Sequence, residues 1–130
     1  MPAKSDPPKP TEGELAILRC LWRHGPGTVR DVVLRLRPQP GYTTALKMMQ
    51  IMTEKGLLER DTSQRVHVFT PRVPRAQTQK QLVADLLHKA FDGSASSLVL
   101  QALSNTRASK QELEAVRKLL NSIEGNPQHE

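Results

Sequence analysis

The stretch GYTTALKMMQIMTEKGLLER, residues 41–60, decides the fold of this chain. At about 100° per residue, its apolar residues fall mostly on one side of a helix. That predicted core side consists of Ala45, Met48, Met49 and Met52. The opposite side is polar except for Ile51, and its polar members are Thr43, Thr44, Lys47, Gln50 and Glu54. The pattern predicts a helix with an outward face, ending at Gly56, which suits a left-handed C-terminal position.

Two shorter helices are predicted before this stretch, and each begins with the spacing of a capping box. Thr11 and Glu14 can exchange hydrogen bonds at the first start, and Thr28 with Asp31 at the second. The segments HGPG and PQPG end these helices, because glycine and proline interrupt helical structure. The predicted buried stripe of the first helix is Leu15, Leu18 and Trp22, flanked by Ile17 and Leu21. The predicted apolar face of the second is Val29, Val32, Val33 and Leu36.

A two-stranded ribbon is predicted after the third helix, in LLERDTSQRVHVFTP, residues 57–71. Residues 65–70 alternate with a period of two, which is typical of a strand. The LLER segment can pair with them across a polar turn at residues 61–64, and Pro71 and Pro74 end the hairpin. Three helices followed by a ribbon with a polar tip predict a winged helix-turn-helix.

The remaining chain predicts three more helices, over residues 75–91, 95–105 and 109–125. The last opens with another capping-box pair, Ser109 and Glu112. Such short amphipathic helices can barely bury their apolar faces alone, so we expect this region to form a dimer. The predicted dimerisation residues are Leu82, Leu86, Leu87, Phe91, Leu98, Leu113, Val116, Leu120 and Ile123.

The fold class predicted from these patterns is mainly α, with an N-terminal winged helix-turn-helix followed by a helical dimerisation region. The predicted boundaries are a disordered leader at 1–10, the winged-helix domain at 11–74, the dimerisation region at 75–125 and a disordered tail at 126–130. The leader MPAKSDPPKP has no hydrophobic signal-peptide core, and no apolar run approaches membrane-spanning length, so a cytoplasmic location is expected.

The positive charge is concentrated in the N-terminal part of the chain. The chain has 19 Lys and Arg and 13 Asp and Glu. Residues 1–75 hold 13 of the basic and 7 of the acidic residues, a net charge of 13 − 7 = +6. Residues 76–130 hold the other 6 basic and 6 acidic residues, a net charge of zero. This asymmetry indicates a polyanion-binding module, although a basic soluble protein would give the same total. The single cysteine, Cys20, excludes an intramolecular disulfide and is expected to be a buried thiol.

The outward side of the third helix has the chemistry of a DNA-reading surface. Threonine offers a hydroxyl and a methyl group, lysine reaches guanine acceptors or phosphate, and helix N-terminal amides favour an anion. The alternative is that the two threonines only cap the helix and that Lys47 is a solvated charge. Tyr42 can stack on DNA or pack as a hydrophobic staple. The predicted DNA-binding residues are Thr28, Arg30, Tyr42, Thr43, Thr44, Lys47, Arg60 and Arg65.

Catalysis is the least favoured function. The acidic pairs at 12 and 14 and at 112 and 114 lie two residues apart on helices and do not face each other. The four histidines show no spacing with cysteine or acidic residues typical of a metal site or a catalytic triad. No catalytic residue, metal or cofactor is predicted.

Four segments resemble the penicillinase repressor family of bacterial transcriptional regulators. They are PTEGELAILRCLWRHGPGTVRDVV, YTTALKMMQIMTEKGLLERD, RVHVFTPRV and FDGSASSLVLQAL with the later QELEAVRKLL, and they cover Thr11 to Glu124 in order. The resemblance implies a homodimeric repressor whose winged helix binds an inverted-repeat operator. It assigns recognition to Thr43, Thr44 and Lys47, with Arg65 in the wing.

The chain departs from two branches of that family. In the resistance branch, a sensor-pathway protease cleaves a C-terminal Asn-Phe pair, where this chain has Gln101-Ala102. In the copper-responsive branch a C-terminal cysteine cluster is present, and this chain has none. Neither β-lactam induction by cleavage nor copper sensing is therefore predicted. A winged-helix protein–protein adaptor remains the alternative function, and the charge asymmetry favours DNA over it.

Overall fold

A computed structural model describes residues 8–125, which form six helices and one two-stranded sheet. In chain order these are α1 (Glu12–His24), α2 (Val29–Arg35), α3 (Tyr42–Lys55), β1 (Leu58–Asp61), β2 (Val68–Pro71), α4 (Arg75–Phe91), α5 (Ala95–Ser104) and α6 (Lys110–Glu124). The mainly α fold class and the predicted element order are confirmed. The described chain divides into two compact units, one through Ala84 and one from Asp85 onward.

The predicted domain boundaries differ from the structure at two points. The disorder expected at 1–10 and 126–130 lies largely outside the described residues. Within them, Pro10 is buried, so the packed chain begins before the predicted start at Thr11. The first compact unit also extends past Pro74 to Ala84, because α4 contributes the buried Thr78 to it. The predicted division of function at Pro74 stays a prediction.

Both N-terminal capping boxes are present. At α1, the Thr11 N–H donates to Glu14 Oε1 at 3.0 Å and the Glu14 N–H donates to Thr11 Oγ1 at 3.2 Å. At α2, Thr28 and Asp31 make the same pair at 3.0 and 3.1 Å. Each box satisfies two backbone donors that the first helical turn leaves open. The sequence signals that start these helices are therefore local and sufficient.

The first unit buries one hydrophobic core between α1, α2, α3 and the ribbon. Its buried members are Ile17, Leu18, Cys20, Leu21, Val29, Val32, Val33, Ala45, Met49, Met52, Leu57, Leu58, Phe69 and Val73. The predicted α1 stripe was partly wrong, since Leu15 and Trp22 are only half-buried whereas Ile17 and Leu21 are fully buried. The reason is that α1 packs against α2, α3 and β2, which covers a broader face than one stripe.

The core faces of α2 and α3 are close to those predicted. Val29, Val32 and Val33 are buried, and Leu36 is half-buried at the end of α2. On α3, Met48 is half-buried at the edge of the cluster rather than inside it. The helix ends at Gly56 with φ 89°, a left-handed residue as predicted.

The ribbon is shorter than predicted and has a third, unpredicted neighbour. Antiparallel pairing joins Leu58 to Pro71 and Asp61 to Val68, so residues 62–67 form the tip and Arg65 lies in it rather than in a strand. Gly27 exchanges backbone hydrogen bonds with Phe69, at 3.1 and 2.8 Å. These bonds and the burial of Phe69 in the core fix β2 on one side, whereas the tip lacks such ties.

In the second unit the predicted helix starts recur. Ser94 accepts from the Ser97 N–H at 3.2 Å, and Ser109 with Glu112 forms a capping box. No residue of α5 or α6 is buried within this unit. Of the predicted dimerisation residues, Leu86, Leu120 and Ile123 are exposed. The other six are half-buried, namely Leu82, Leu87, Phe91, Leu98, Leu113 and Val116.

Candidate DNA interface

Helix α3 begins without a side-chain cap. Its N-cap is Gly41, so neither Thr43 nor Thr44 caps the helix, and the alternative interpretation of these threonines is wrong. Both side chains are exposed, as is Lys47. The first-turn N–H groups of α3 therefore have no side-chain acceptor and carry the positive end of the helix dipole. An incoming anion is the partner that this end favours.

A groove of about 560 Å³ lies between the start of α2, one side of α3 and the tip of the ribbon. Its basic lining residues are Arg30, Arg60, Arg65 and His67, and no carboxylate is among the described residues that line it. The remaining lining residues are Thr28, Val29, Tyr42, Leu46, Gln50, Val66 and Phe69. The groove thus joins three chain segments into one cationic surface.

The structure brings five of the eight predicted DNA-binding residues together in this groove, namely Thr28, Arg30, Tyr42, Arg60 and Arg65. Tyr42 is 55% exposed, so it does not pack as a buried staple. The Thr28 hydroxyl accepts the Asp31 N–H in the α2 cap, and its own proton can still be donated.

The three remaining predicted residues lie on α3 outside the groove lining. Tyr42, Leu46 and Gln50, spaced four residues apart, form the line that faces the groove. At about 100° per residue, Thr43 lies beside that line, Lys47 farther round, and Thr44 on the opposite side. The outward side of α3, predicted as a single DNA-reading surface, is therefore divided in two. One part faces the groove, and the other is open to solvent.

Six lining residues were not assigned to the site from the sequence: Val29, Leu46, Gln50, Val66, His67 and Phe69, of which Val29 and Phe69 also belong to the buried core. Gln50 was on the outward side of the predicted helix, and its amide can pair with adenine. His67 was predicted within a strand, and its place beside α3 follows from the longer tip. Ile51 remains 39% exposed, and its role is unassigned.

Two carboxylates near the groove are held by backbone hydrogen bonds. The Thr28 N–H lowers the pKa of Asp31, and the Ser63 N–H, at 2.9 Å from Asp61 Oδ1, lowers the pKa of Asp61. These acids are therefore ionised at neutral pH, and each is already bonded to local backbone. The arginines of the groove are left to bind an external anion.

Among residues 8–125, no helix is long and apolar enough to cross a membrane. No group of three His, Cys, Asp or Glu side chains in the same range is placed to hold a metal ion. The thiol of Cys20 is buried, as predicted.

Comparison with known proteins gives relatives over most of the chain. The family model described as "Penicillinase repressor" matches residues 10–122. The "Penicillinase repressor" of Bacillus licheniformis is 24% identical over 115 residues, which cover 87% of this chain and 90% of the relative. The "Transcriptional regulator BlaI" of Mycobacterium tuberculosis is 30% identical over 114 residues, covering 85% and 82%.

Two solved structures, each 23% identical, also match. The DNA-binding domain of the repressor BlaI has a TM-score of 0.48, covering 58% of this chain and 93% of that one. The Bacillus licheniformis BlaI monomer in complex with the blaP half-operator has a TM-score of 0.47, covering 55% and 89%.

Proposed function

This chain belongs to the penicillinase repressor family, and we propose that it is a bacterial transcriptional repressor that binds an inverted-repeat operator as a homodimer. The observation that carries the proposal is the cationic groove between α2, α3 and the ribbon tip. Phosphate neutralisation by lysine and arginine supplies most of the affinity of such proteins for DNA. A groove with arginines on both walls is suited to that task.

The proposed reading element is α3 from Thr43 to Gln50. Thr43 and Lys47 contact base edges in the major groove, and Gln50 is a further donor and acceptor beside them. The uncapped first turn of α3 binds a phosphate through its N–H groups. Thr44 faces away from the groove-facing line, so we assign it to the flanking backbone rather than to bases.

The arginines position the domain on the duplex. Arg30, at the start of α2, contacts a phosphate at one edge of the major groove. Arg60, in β1, and Arg65, in the tip of the ribbon, contact the adjacent backbone or minor groove. Such contacts fix the register of α3 but carry no sequence information themselves.

The proposed dimer brings together the apolar residues that α4, α5 and α6 leave exposed, among them Leu86, Leu120 and Ile123. Two α3 helices about 34 Å apart would then read half-sites one helical turn apart. Bound there, the dimer would occlude a promoter. Because the proposed target is operator DNA, the proposed location is the bacterial cytoplasm.

Relief of repression by a sensor-pathway protease is not part of the proposal. The pair that aligns with the scissile Asn-Phe is Gln101-Ala102, which lies inside α5 and is exposed. Its chemistry differs from that of the family's cleaved pair, so the inducing signal has to be sought elsewhere.

Selection of duplexes from a random-sequence pool by the full chain tests the proposal. We expect enrichment of a pseudo-palindrome, two chains per duplex, and an affinity that falls steeply as salt rises. An adaptor that does not read DNA would enrich no sequence. That result would contradict the proposal.

A further inference from the structure

A second cavity of about 640 Å³ lies in the first compact unit, between α1, the end of α2 and the first turns of α4. It falls in the range of about 300–1,000 Å³ that is typical of small-molecule sites. Its lining arginines are Arg19, Arg23, Arg35, Arg37 and Arg75, and His24 also lines it. No aspartate or glutamate is among the described residues that line it.

None of these arginines forms an ion pair within 4.0 Å in the part of the chain that the structure describes, although Asp31 interacts electrostatically with Arg35 at longer range. The ion pairs found there join Lys55 to Glu14, Lys89 to Asp85 and Arg117 to Glu114. Arg37 is also engaged locally, because its guanidinium donates to the carbonyls of Leu34 and Leu36 at 3.0 and 2.7 Å. Asp31 therefore offsets part of the charge of Arg35, and the other arginines of the cavity have no ion pair among the described residues.

The wall of the cavity is partly apolar. Leu15, Leu36 and Leu82 line it, together with the indole of Trp22. The Trp22 Nε1 donates to the Val73 carbonyl at 3.0 Å, which holds the ring in one orientation. Burial raises the pKa of the Cys20 thiol, so the thiol stays neutral and adds no negative charge.

The cavity and the DNA groove lie at opposite ends of α2. The groove takes Thr28, Val29 and Arg30 from the start of the helix, and the cavity takes Arg35, Leu36 and Arg37 from its end. No residue lines both. The cavity is concave with an apolar wall, whereas a DNA backbone needs a cationic surface that tracks it along its length.

We propose that this cavity binds a small organic dianion, with two carboxylate or phosphate groups on an apolar body. Arginines from α1, α2 and α4 bind the anionic groups, because guanidinium forms paired hydrogen bonds with such oxygens. The leucines and Trp22 contact the apolar body. The site shares no lining residue with the DNA groove, so the chain can hold a small-molecule ligand apart from the operator.

Titration of the full chain with adipate tests the proposal, with adipamide as the neutral analogue and inorganic phosphate as the free anion. Trp22 is the only tryptophan, so its fluorescence reports the cavity, and calorimetry gives the stoichiometry. We expect saturable adipate binding at one site per chain. Adipamide should not bind, and phosphate should bind more weakly because it lacks an apolar body.

The variants Arg19→Gln and Arg35→Gln should each weaken adipate binding at least about tenfold, since each removes a charged hydrogen-bond donor. Arg72→Gln is the matched control, because Arg72 is exposed in the same unit and lines neither this cavity nor the DNA groove. Thermal unfolding checks that all variants are folded. Absence of adipate binding at millimolar concentration, equal binding by the Arg19 and Arg35 variants, or phosphate binding as tight as adipate would overturn the proposal.

Discussion

Glu14 Oε2 lies 2.8 Å from Lys55 Nζ, and this pair joins the first turn of α1 to the last turn of α3. The same Glu14 side chain accepts the N–H of Thr11 in the α1 cap. Glu14 is only 5% exposed, so its charge depends on these partners. One carboxylate therefore fixes the start of a helix and the position of the proposed reading helix together.

Lys55→Met should lower the free energy of unfolding by about 1–2 kcal/mol, because it leaves a buried carboxylate with one partner fewer. The loss is kept modest since the Lys55 side chain is 37% exposed and partly screened. Urea denaturation measures it, with the exposed Lys80→Met as the control. A Lys55→Met stability equal to that of the control would show that the pair contributes nothing.

Stability should fall in acid because the carboxylates of Glu14 and Asp31, like that of the exposed Asp61, have lowered pKa values in the folded chain. Burial raises the pKa of Glu14, but hydrogen bonds from Lys55 and Thr11 outweigh it and hold it below 4.5. The Thr28 N–H holds that of Asp31 below 3.8. A lowered folded-state pKa gives stability that is present above the unfolded value and lost as pH falls through the folded one. Chemical denaturation from pH 7 to pH 2 should show this loss beginning near these values. A flat profile below pH 4.5 would contradict the assignment.

Gly56→Ala should destabilise the fold by about 1–2 kcal/mol, because a Cβ is strained in the left-handed conformation that ends α3. Space is not the cause, since no atom beyond the adjacent residues lies within 4 Å of the added Cβ. Thermal unfolding gives the value. Gly41→Ala, at φ −70° and equally unhindered, should cost less. A larger loss at Gly41 than at Gly56 would count against the backbone explanation.

Leu120→Asp and Leu86→Asp should each dissociate the proposed dimer, because a charge would be buried in an apolar interface. Both leucines are exposed in the single chain, at 53% and 47%. Sedimentation equilibrium measures the change, and Gln111→Asp, which adds the same charge at an exposed position of α6, should leave the dimer intact. Dimers in both leucine variants would place the interface elsewhere.

Helix starts and ends were predictable because their signals are local. The capping boxes at Thr11 and Thr28 and the left-handed Gly56 each depend on residues within one turn. The ribbon was predicted less well because its length depends on distant contacts. Gly27, far away in sequence, bonds to Phe69 and fixes one side of β2, which periodicity alone does not show.

The DNA groove was predicted only in part, because its assembly also depends on contacts between distant segments. Arg30, Arg60 and Arg65 were assigned from charge and position, and the structure brings them to one groove. The division of the outward face of α3, which separates Thr43 from Thr44, depends on where the ribbon tip lies. Gln50 and His67 enter the site through that tertiary placement. Charge and helical angle alone do not predict where the ribbon tip lies relative to α3.

The most direct test of the central claim is the affinity of Lys47→Ala for the selected operator duplex, titrated at fixed salt. Lys80→Ala is the matched control, since Lys80 is an exposed lysine of α4 that lines neither cavity. If α3 reads the operator, Lys47→Ala should weaken binding about tenfold or more while sedimentation still shows a dimer. The control should bind like the parent chain. An operator affinity of Lys47→Ala equal to that of the parent chain would contradict the account.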